Sequence, residues 1–528
     1  MKRVTLALLV IGLVLSMNLT APHTASAQNA NQSLRIGYSN LPQSLDPAAA
    51  ADKGTSSMLR GLFEGLVRLD RAGQAVPGVA ESWKVSADGT TYTFKLRPSA
   101  KWSNQQPVKA LDFEYAWKRA LAPKAQSPQA FKMFMIANAE AYHQGKIKEA
   151  SKVGVKALNN NTLQVTLNRK TSFFLQLVTE NIYLPVNAAI AQHDHAWAYN
   201  AKTVVTNGAF QLKEWNSKQM KLVKNPSYYA ANDVKLTEVN VVTPKQGKGI
   251  VDAFNNQEVD WVDLDEGSYA ALDKRALSYS HVLSTGASYY YQFNLNEPPF
   301  HNVKIRKALA MAVERQMIPY GKPAYGIIPY GIRGTKGDYR AEVSDKQYFN
   351  ENTDLAQKLL KEGLKEEGQD ALPSFSIIVN KGFEHELIAK YVTTSWKKNL
   401  GIDVNVESVS FEDLLKQRAN QQFTIARSGW GADYNDPSSM LEYFTSKSPD
   451  NDSGWSNERY DALIVEAQQT NDPKKRNERY AQAEKLLMDQ MIILPLYYYV
   501  TNAIYEPYVQ NMNVLYDGSL DFTRASIR

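Results

Sequence analysis

Two acids three residues apart, Asp433 and Asp436 in Trp430-Gly-Ala-Asp-Tyr-Asn-Asp-Pro437, are the nearest this chain comes to a paired acid and base. Two such carboxyls are the minimum for glycoside hydrolysis. Their setting of Gly, Asn, Asp and Pro reads instead as a turn, in which Asp bonds its own backbone. The histidines offer little more. His193 and His195 flank Asp194 in a polar stretch; without a carboxylate triad nearby, they read as a solvated loop rather than a zinc site. His385, in Glu384-His-Glu386, lacks the second His at i+4 that a helical zinc-protease motif needs. There is no G-x-S-x-G elbow, no G-x-x-x-x-G-K-[ST] phosphate loop and no G-x-G-x-x-G fingerprint. The chain also has no cysteine, which excludes thiol nucleophiles, thiolate metal centres and disulfides. These absences leave little catalytic machinery, with no cofactor and no metal expected.

The aromatic residues suggest what could do the binding. Most of the 29 Tyr, 18 Phe and 9 Trp read as core, and their number excludes intrinsic disorder. Three groups stand apart: Tyr289-Tyr-Tyr291, Tyr497-Tyr-Tyr499, and Trp430 with Tyr434. A run of three rings in a strand presents rings to both faces, so one can line a cleft. Tyr and Trp suit a cleft because they offer large rigid contact area with a polar tip.

Elements must hold those residues in place. Apolar residues alternate at 34–38, 91–96, 162–167 and 403–407, as strands with one buried face require. Helical periodicity marks 110–121, 303–317, 355–364, 384–399 and 477–491, and Ser86-Ala-Asp-Gly89 reads as a tight turn. Strands and helices intermix throughout, giving an α/β or mixed α+β class. At 528 residues the chain is long enough for about three domains. No repeat and no Pro- or Gly-rich linker separates them, so discontinuous segments joined in a hinged two-lobed protein are expected. The net charge of +6 is too small for its length to imply a nucleic-acid partner.

The start of the chain reads as an address. Met1-Lys-Arg3 is followed by an apolar run of about 14 residues and by Ala25-Ser-Ala27, a signal-peptidase pattern; a spanning helix would need roughly 20. A cleaved signal over 1–27 is expected. With no cysteine after it to take a lipid, a non-lipidated periplasmic protein follows.

Several blocks together carry a family resemblance. They are Ser44-Leu-Asp-Pro47, Gly78-Val-Ala-Glu-Ser-Trp83, Ser86–Arg97, Ala100-Lys-Trp-Ser103 and Pro107–Phe113. Asn207-Gly-Ala-Phe210, Pro298-Pro-Phe300 with Arg306-Lys-Ala-Leu309, Trp396–Gly401, Trp430–Pro437 and Leu494–Tyr498 continue the series in order. The chain resembles the family-5 extracellular solute-binding proteins, and in particular the oligopeptide binders of bacterial ABC importers. The resemblance implies a type II periplasmic-binding-protein-like fold of two lobes joined by hinge strands, with an additional third domain. The expected division is lobe I at 28–63, 188–286 and 502–528, an extra domain at 64–187, and a second lobe at 287–501.

It also implies a site. Asp433 stands where the family pairs a carboxylate with a peptide's α-ammonium, and Arg427 where an arginine receives a tripeptide's carboxylate. A guanidinium fork suits that second role. Gly429 and Gly431, flanking Trp430, stand where the family's extended segment pairs with ligand main chain. His385 matches a position near the tail of longer ligands, Phe411 a position often held by Trp, and Tyr290 and Tyr291 the cleft tyrosines. The implied partners are short peptides of about 2–5 residues, bound by strand addition, and inner-membrane permease subunits contacted transiently by a monomer. A murein tripeptide or another solute on the same scaffold, a sensor without a transporter, and an exported hydrolase are the alternatives.

Overall fold

The computed structural model describes residues 32–50, 52–244, 249–264 and 271–528. The signal segment expected at 1–27 lies outside the described residues. Most of the periodic stretches form the elements their patterns require. Ala110–Leu121 is a helix with Phe113 and Trp117 buried on its apolar face, and Thr91–Leu96 is a strand whose Tyr92, Phe94 and Leu96 turn inward. Phe383–Leu400 stops at Gly401, whose φ of +70° lets it cap the helix in the left-handed region. The 303–317 stretch is shorter as a helix than its pattern, ending at Met311, with a 3-10 turn at Arg315–Met317. Arg306 on that helix is buried and bonds the carbonyls of Phe300, Gln490 and Met491, so a core cation serves the end of another helix.

One large sheet runs through the molecule. Its strand order is Asn405–Val409, Ser376–Asn380, Ile425–Gly431, Ser280–Phe293, Ile493–Tyr505, Trp261–Leu264, Ser33–Gly37, Glu238–Val242, Gln219–Lys224, Phe210–Trp215. The two central strands, 280–293 and 493–505, are the long ones, and each belongs to both halves of the sheet. Ser280–Ser284 and Asn502–Tyr505 pair on the side of Trp261–Leu264, whereas Ala287–Phe293 pairs with Ile425–Gly431. Between the halves the register breaks: Ser284 faces Val500, but Ser288 faces Tyr498. The extra residues form a bulge at Gly286, whose φ is +61° and where a Cβ would lie 2.6 Å from the Tyr516 carbonyl oxygen. The sheet therefore changes direction where its two halves meet.

A separate four-stranded antiparallel sheet is formed by Ala80–Val85, Thr91–Leu96, Thr162–Thr166 and Val155–Asn159. Its core, with Trp102, Trp117 and Tyr183, is continuous with that of the first half of the large sheet, including Leu34, Val241 and Phe522. The second half has its own core around Tyr289, Trp396, Tyr460 and Leu494. Among the described residues no helix is long and apolar enough to cross a membrane.

Candidate ligand-binding site

The site is built on one strand edge. Thr424 O accepts from Asn294 N, and Ala432 N donates to Gly286 O, bracketing an unbroken antiparallel register. Backbone direction alternates along a strand, so the even-numbered residues between them turn their N–H and C=O groups to the 280–293 strand. Arg427, Gly429 and Gly431 turn theirs the other way. On that side Ser376–Asn380 pairs only with Ile425 and Ala426. From Arg427 onward the edge has no strand partner among the described residues.

Arg427 sits half-buried at one end of this edge. Its guanidinium lies 5.0 Å over the Tyr289 ring and donates to Tyr499 Oη at 3.2 Å, while its Nε is buried without a partner. No carboxylate pairs with it among the described residues. Gly429 lies beside it: a Cβ there would be in ordinary contact with an Arg427 terminal nitrogen at 3.7 Å and Tyr499 Oη at 3.6 Å, and tight only against Ser288 O at 3.2 Å. His385, in the first turn of Phe383–Leu400, bonds Tyr289 Oη through Nδ1 at 3.2 Å. Burial first and Arg427 second pull its pKa below the ordinary imidazole range, so the ring is neutral at pH 7.

Asp433 lies at the other end, just past the strand in the turn its sequence announced. Its backbone N–H bonds Ser439 Oγ and its carbonyl accepts from Tyr516 Oη at 3.0 Å. The carboxylate makes no ion pair or hydrogen bond among the described residues. Burial first raises its pKa to about 6; Lys132 opposes the shift, and Glu180 and Asp450 add to it. Lys132 and Glu180 form an ion pair of 2.9 Å, exposed only 11% and 6%. Asp436, by contrast, bonds the Ser438 N–H and hydroxyl at the start of the next helix and faces Arg476 at 3.5 Å, a structural role.

Two cavities open beside the Asp433 carboxylate. The smaller, about 230 Å³, is polar and lined by Lys132, Glu180 and Tyr516. The larger, about 610 Å³, has a wall of Phe173, Trp430, Tyr434 and Tyr443 with Glu442 at its side. Trp430 is fixed there by its Nε1–H to Ser439 O at 3.1 Å and by its ring on Tyr443 at 4.7 Å.

The structure thus brings Arg427, Gly429, Trp430, Gly431 and Asp433 onto one edge, with His385 behind Arg427. Tyr290 and Tyr291 are fully buried: Tyr290 packs against Phe444 on the far face, and Tyr291 lies 6.1 Å from Tyr289. Their neighbour Tyr289 holds the guanidinium, and half-buried Tyr499 reaches the cleft. Phe411 opens the Phe411–Ala419 helix with more than half of its surface exposed, and Phe383 is more exposed still. His193 and His195 are exposed in a turn. Lys132, Glu180 and Tyr516 were not legible as site residues, because nothing in their local sequence signals proximity to Asp433.

The family model for bacterial extracellular solute-binding proteins, family 5 (middle region), matches residues 74–452. The chain belongs to this family. Family-5 proteins are substrate-binding proteins of the cell exterior and periplasm. It is 34% identical to the oligopeptide-binding protein OppA of Bacillus subtilis, over 93% of this chain and 92% of that one. It superposes on the unliganded open form of the murein tripeptide-binding protein MppA with a TM-score of 0.85, at 29% identity over 94% of this chain and 98% of that one. On Listeria monocytogenes OppA bound to peptide the TM-score is 0.66, at 29% identity over 94% and 99%. Of these two solved structures, the open MppA superposes the better.

Proposed function

We propose that this protein captures short peptides, of about 2–5 residues, as an added strand and delivers them to an ABC permease. The observation that carries this reading is the open edge from Arg427 to Gly431 between an unmatched guanidinium and an unmatched carboxylate. Backbone pairing at Arg427, Gly429 and Gly431 holds a peptide without reading its side chains. Asp433 receives the α-ammonium, and Arg427 the carboxylate of a ligand of matching length. His385, Trp430 and Phe411 contact the ligand's remaining parts, with Tyr290 and Tyr291 supporting the wall from within. The protein is a monomer without catalytic activity, exported by a cleaved signal and not lipidated. Its lobes are 28–63 with 188–286 and 502–528, and 287–501, and the extra domain is 64–187. Closure bends the two long strands at the Gly286 bulge.

Calorimetry with trialanine, N-acetyl-trialanine and trialanine amide tests this reading. The free peptide binds one to one, and blocking either end weakens it at least tenfold. Equal affinity for all three peptides would refute the end-pairing, and release of cleaved product would refute the absence of catalysis.

A further inference from the structure

The amino-end station contains a cation of its own. Lys132 and Asp433 line both cavities, and Lys132 is held by Glu180 from the same extra domain. Arg169, Lys447 and Asp461 also line the larger cavity, and Arg169 opposes the raised pKa of Glu442. Lys53 is 2.9 Å from Asp263, Arg60 is 3.7 Å from Asp517, and Asp52 caps the helix that begins at Lys53. Tyr516 donates to Glu180 at 2.9 Å from the C-terminal segment. On Asp433's own lobe the facing acids are Glu442 and Asp450. Around Asp433 the acids outnumber the cations, and Lys132, the cation that lines both cavities with it, is already tied to Glu180.

We propose that Lys132 is a resident counter-cation, a positioning residue that draws Asp433 toward its ionised form between ligands and that the arriving α-ammonium must meet as a like charge. This rests on the peptide reading and adds its regulation by pH. Lys132 favours the charged form of Asp433, so more of the empty site is ionised at a given pH than burial alone would leave. The same charge repels the ligand's ammonium once Asp433 is fully ionised, which limits affinity at high pH. Glu180 sets the balance by drawing Lys132 toward itself.

The test is the affinity of trialanine from pH 5 to pH 8.5, by calorimetry, for wild type, Lys132→Met, Lys132→Arg and Glu180→Gln. For Lys132→Met, the midpoint at which affinity rises should move up by about half a pH unit or more. Its curve should cross the wild-type curve: weaker binding at pH 5.5, equal or tighter at pH 7.5, where the ligand's ammonium is still charged. Lys132→Arg restores the wild-type midpoint, and Glu180→Gln, which leaves Lys132 free for Asp433, moves it down. A purely structural role for Lys132 would lower affinity at every pH, and that parallel loss, or no change, overturns the proposal. N-acetyl-trialanine separates the two readings. If it binds wild type as well as the free peptide does, the peptide reading falls as well; if it does not, only the counter-cation does.

Discussion

Tyr434 stacks face to face on Phe173, ring centroids 5.0 Å apart and planes within 4° of parallel. Phe173 belongs to the segment of the four-stranded sheet, and Tyr434 follows Asp433 directly. Around the stack, Ser172 N–H bonds Gln468 O at 2.9 Å and Arg333 N–H bonds the Asn435 side chain at 2.8 Å. The carboxylate that ends the open edge is thus anchored from two parts of the molecule before any ligand arrives.

Replacing Phe173 with Leu removes the ring pair, which is worth about 0.5–1.5 kcal/mol beyond its buried area. Urea unfolding should show a loss of about 1 kcal/mol or somewhat more, and tripeptide affinity should fall several-fold. Unchanged affinity would show that the strand alone positions Asp433.

Asp433→Asn keeps the shape and removes the charge. Losing one partner of a desolvated charge pair costs about 2–5 kcal/mol, or at least about 30-fold in Kd. Titration calorimetry reads this directly. The variant should also lose most of the wild type's pH dependence between 5 and 7.

The raised acids give stability and affinity opposite dependences on pH. Asp433 at about 6 and Glu442 at about 7, each raised first by burial, hold protons in the folded protein that the unfolded chain has already released. The ligand-free protein therefore loses stability as pH rises from about 4 through 7. Affinity for a peptide ammonium rises over the same range, because it needs the ionised Asp433. Thermal melts with and without trialanine at pH 5 and 7.5 should show the ligand-induced increase growing with pH while the ligand-free Tm falls.

The two glycines separate by substitution. A Cβ at Gly431 would touch only Ala287 Cβ, at 3.7 Å, so Gly431→Ala should change stability by no more than about 0.5 kcal/mol. Any loss of affinity in that variant then reports the ligand's close approach. Gly429→Ala adds a methyl in contact with Arg427 and Tyr499 and tight against Ser288 O, narrowing the space beside the guanidinium, and it should weaken free tripeptide more than its C-terminal amide. Equal losses for the two ligands would argue against a carboxylate at Arg427.

Much of the frame was legible because it follows from local patterns. The helix at 110–121 and the strand at 91–96 matched their periodicity to the residue, and the 430–437 block was readable as a turn from its Gly, Asn, Asp and Pro. The strand expected at 403–407 lies at Asn405–Val409, since alternation fixes a face but not where pairing begins. Alternation puts Tyr290 on the opposite face from Arg427. Tyr289 and Tyr291 share its face, and the guanidinium lies over Tyr289, diagonal to it, rather than over Tyr291, its direct cross-strand neighbour.

By itself the sequence determined the mixed α/β class, the absence of thiol chemistry, the glycines that flank Trp430, and the order of the family's motifs along the chain. The tertiary structure alone decided that, among the described residues, the strand edge beyond Ala426 is open and Arg427 has no carboxylate, and that Lys132, Glu180 and Tyr516 line the cavity beside Asp433. The reason is physical. Periodicity and turn chemistry act over a few residues, whereas an unpaired edge and the charge around a carboxylate depend on segments that meet only when the sheet closes its register.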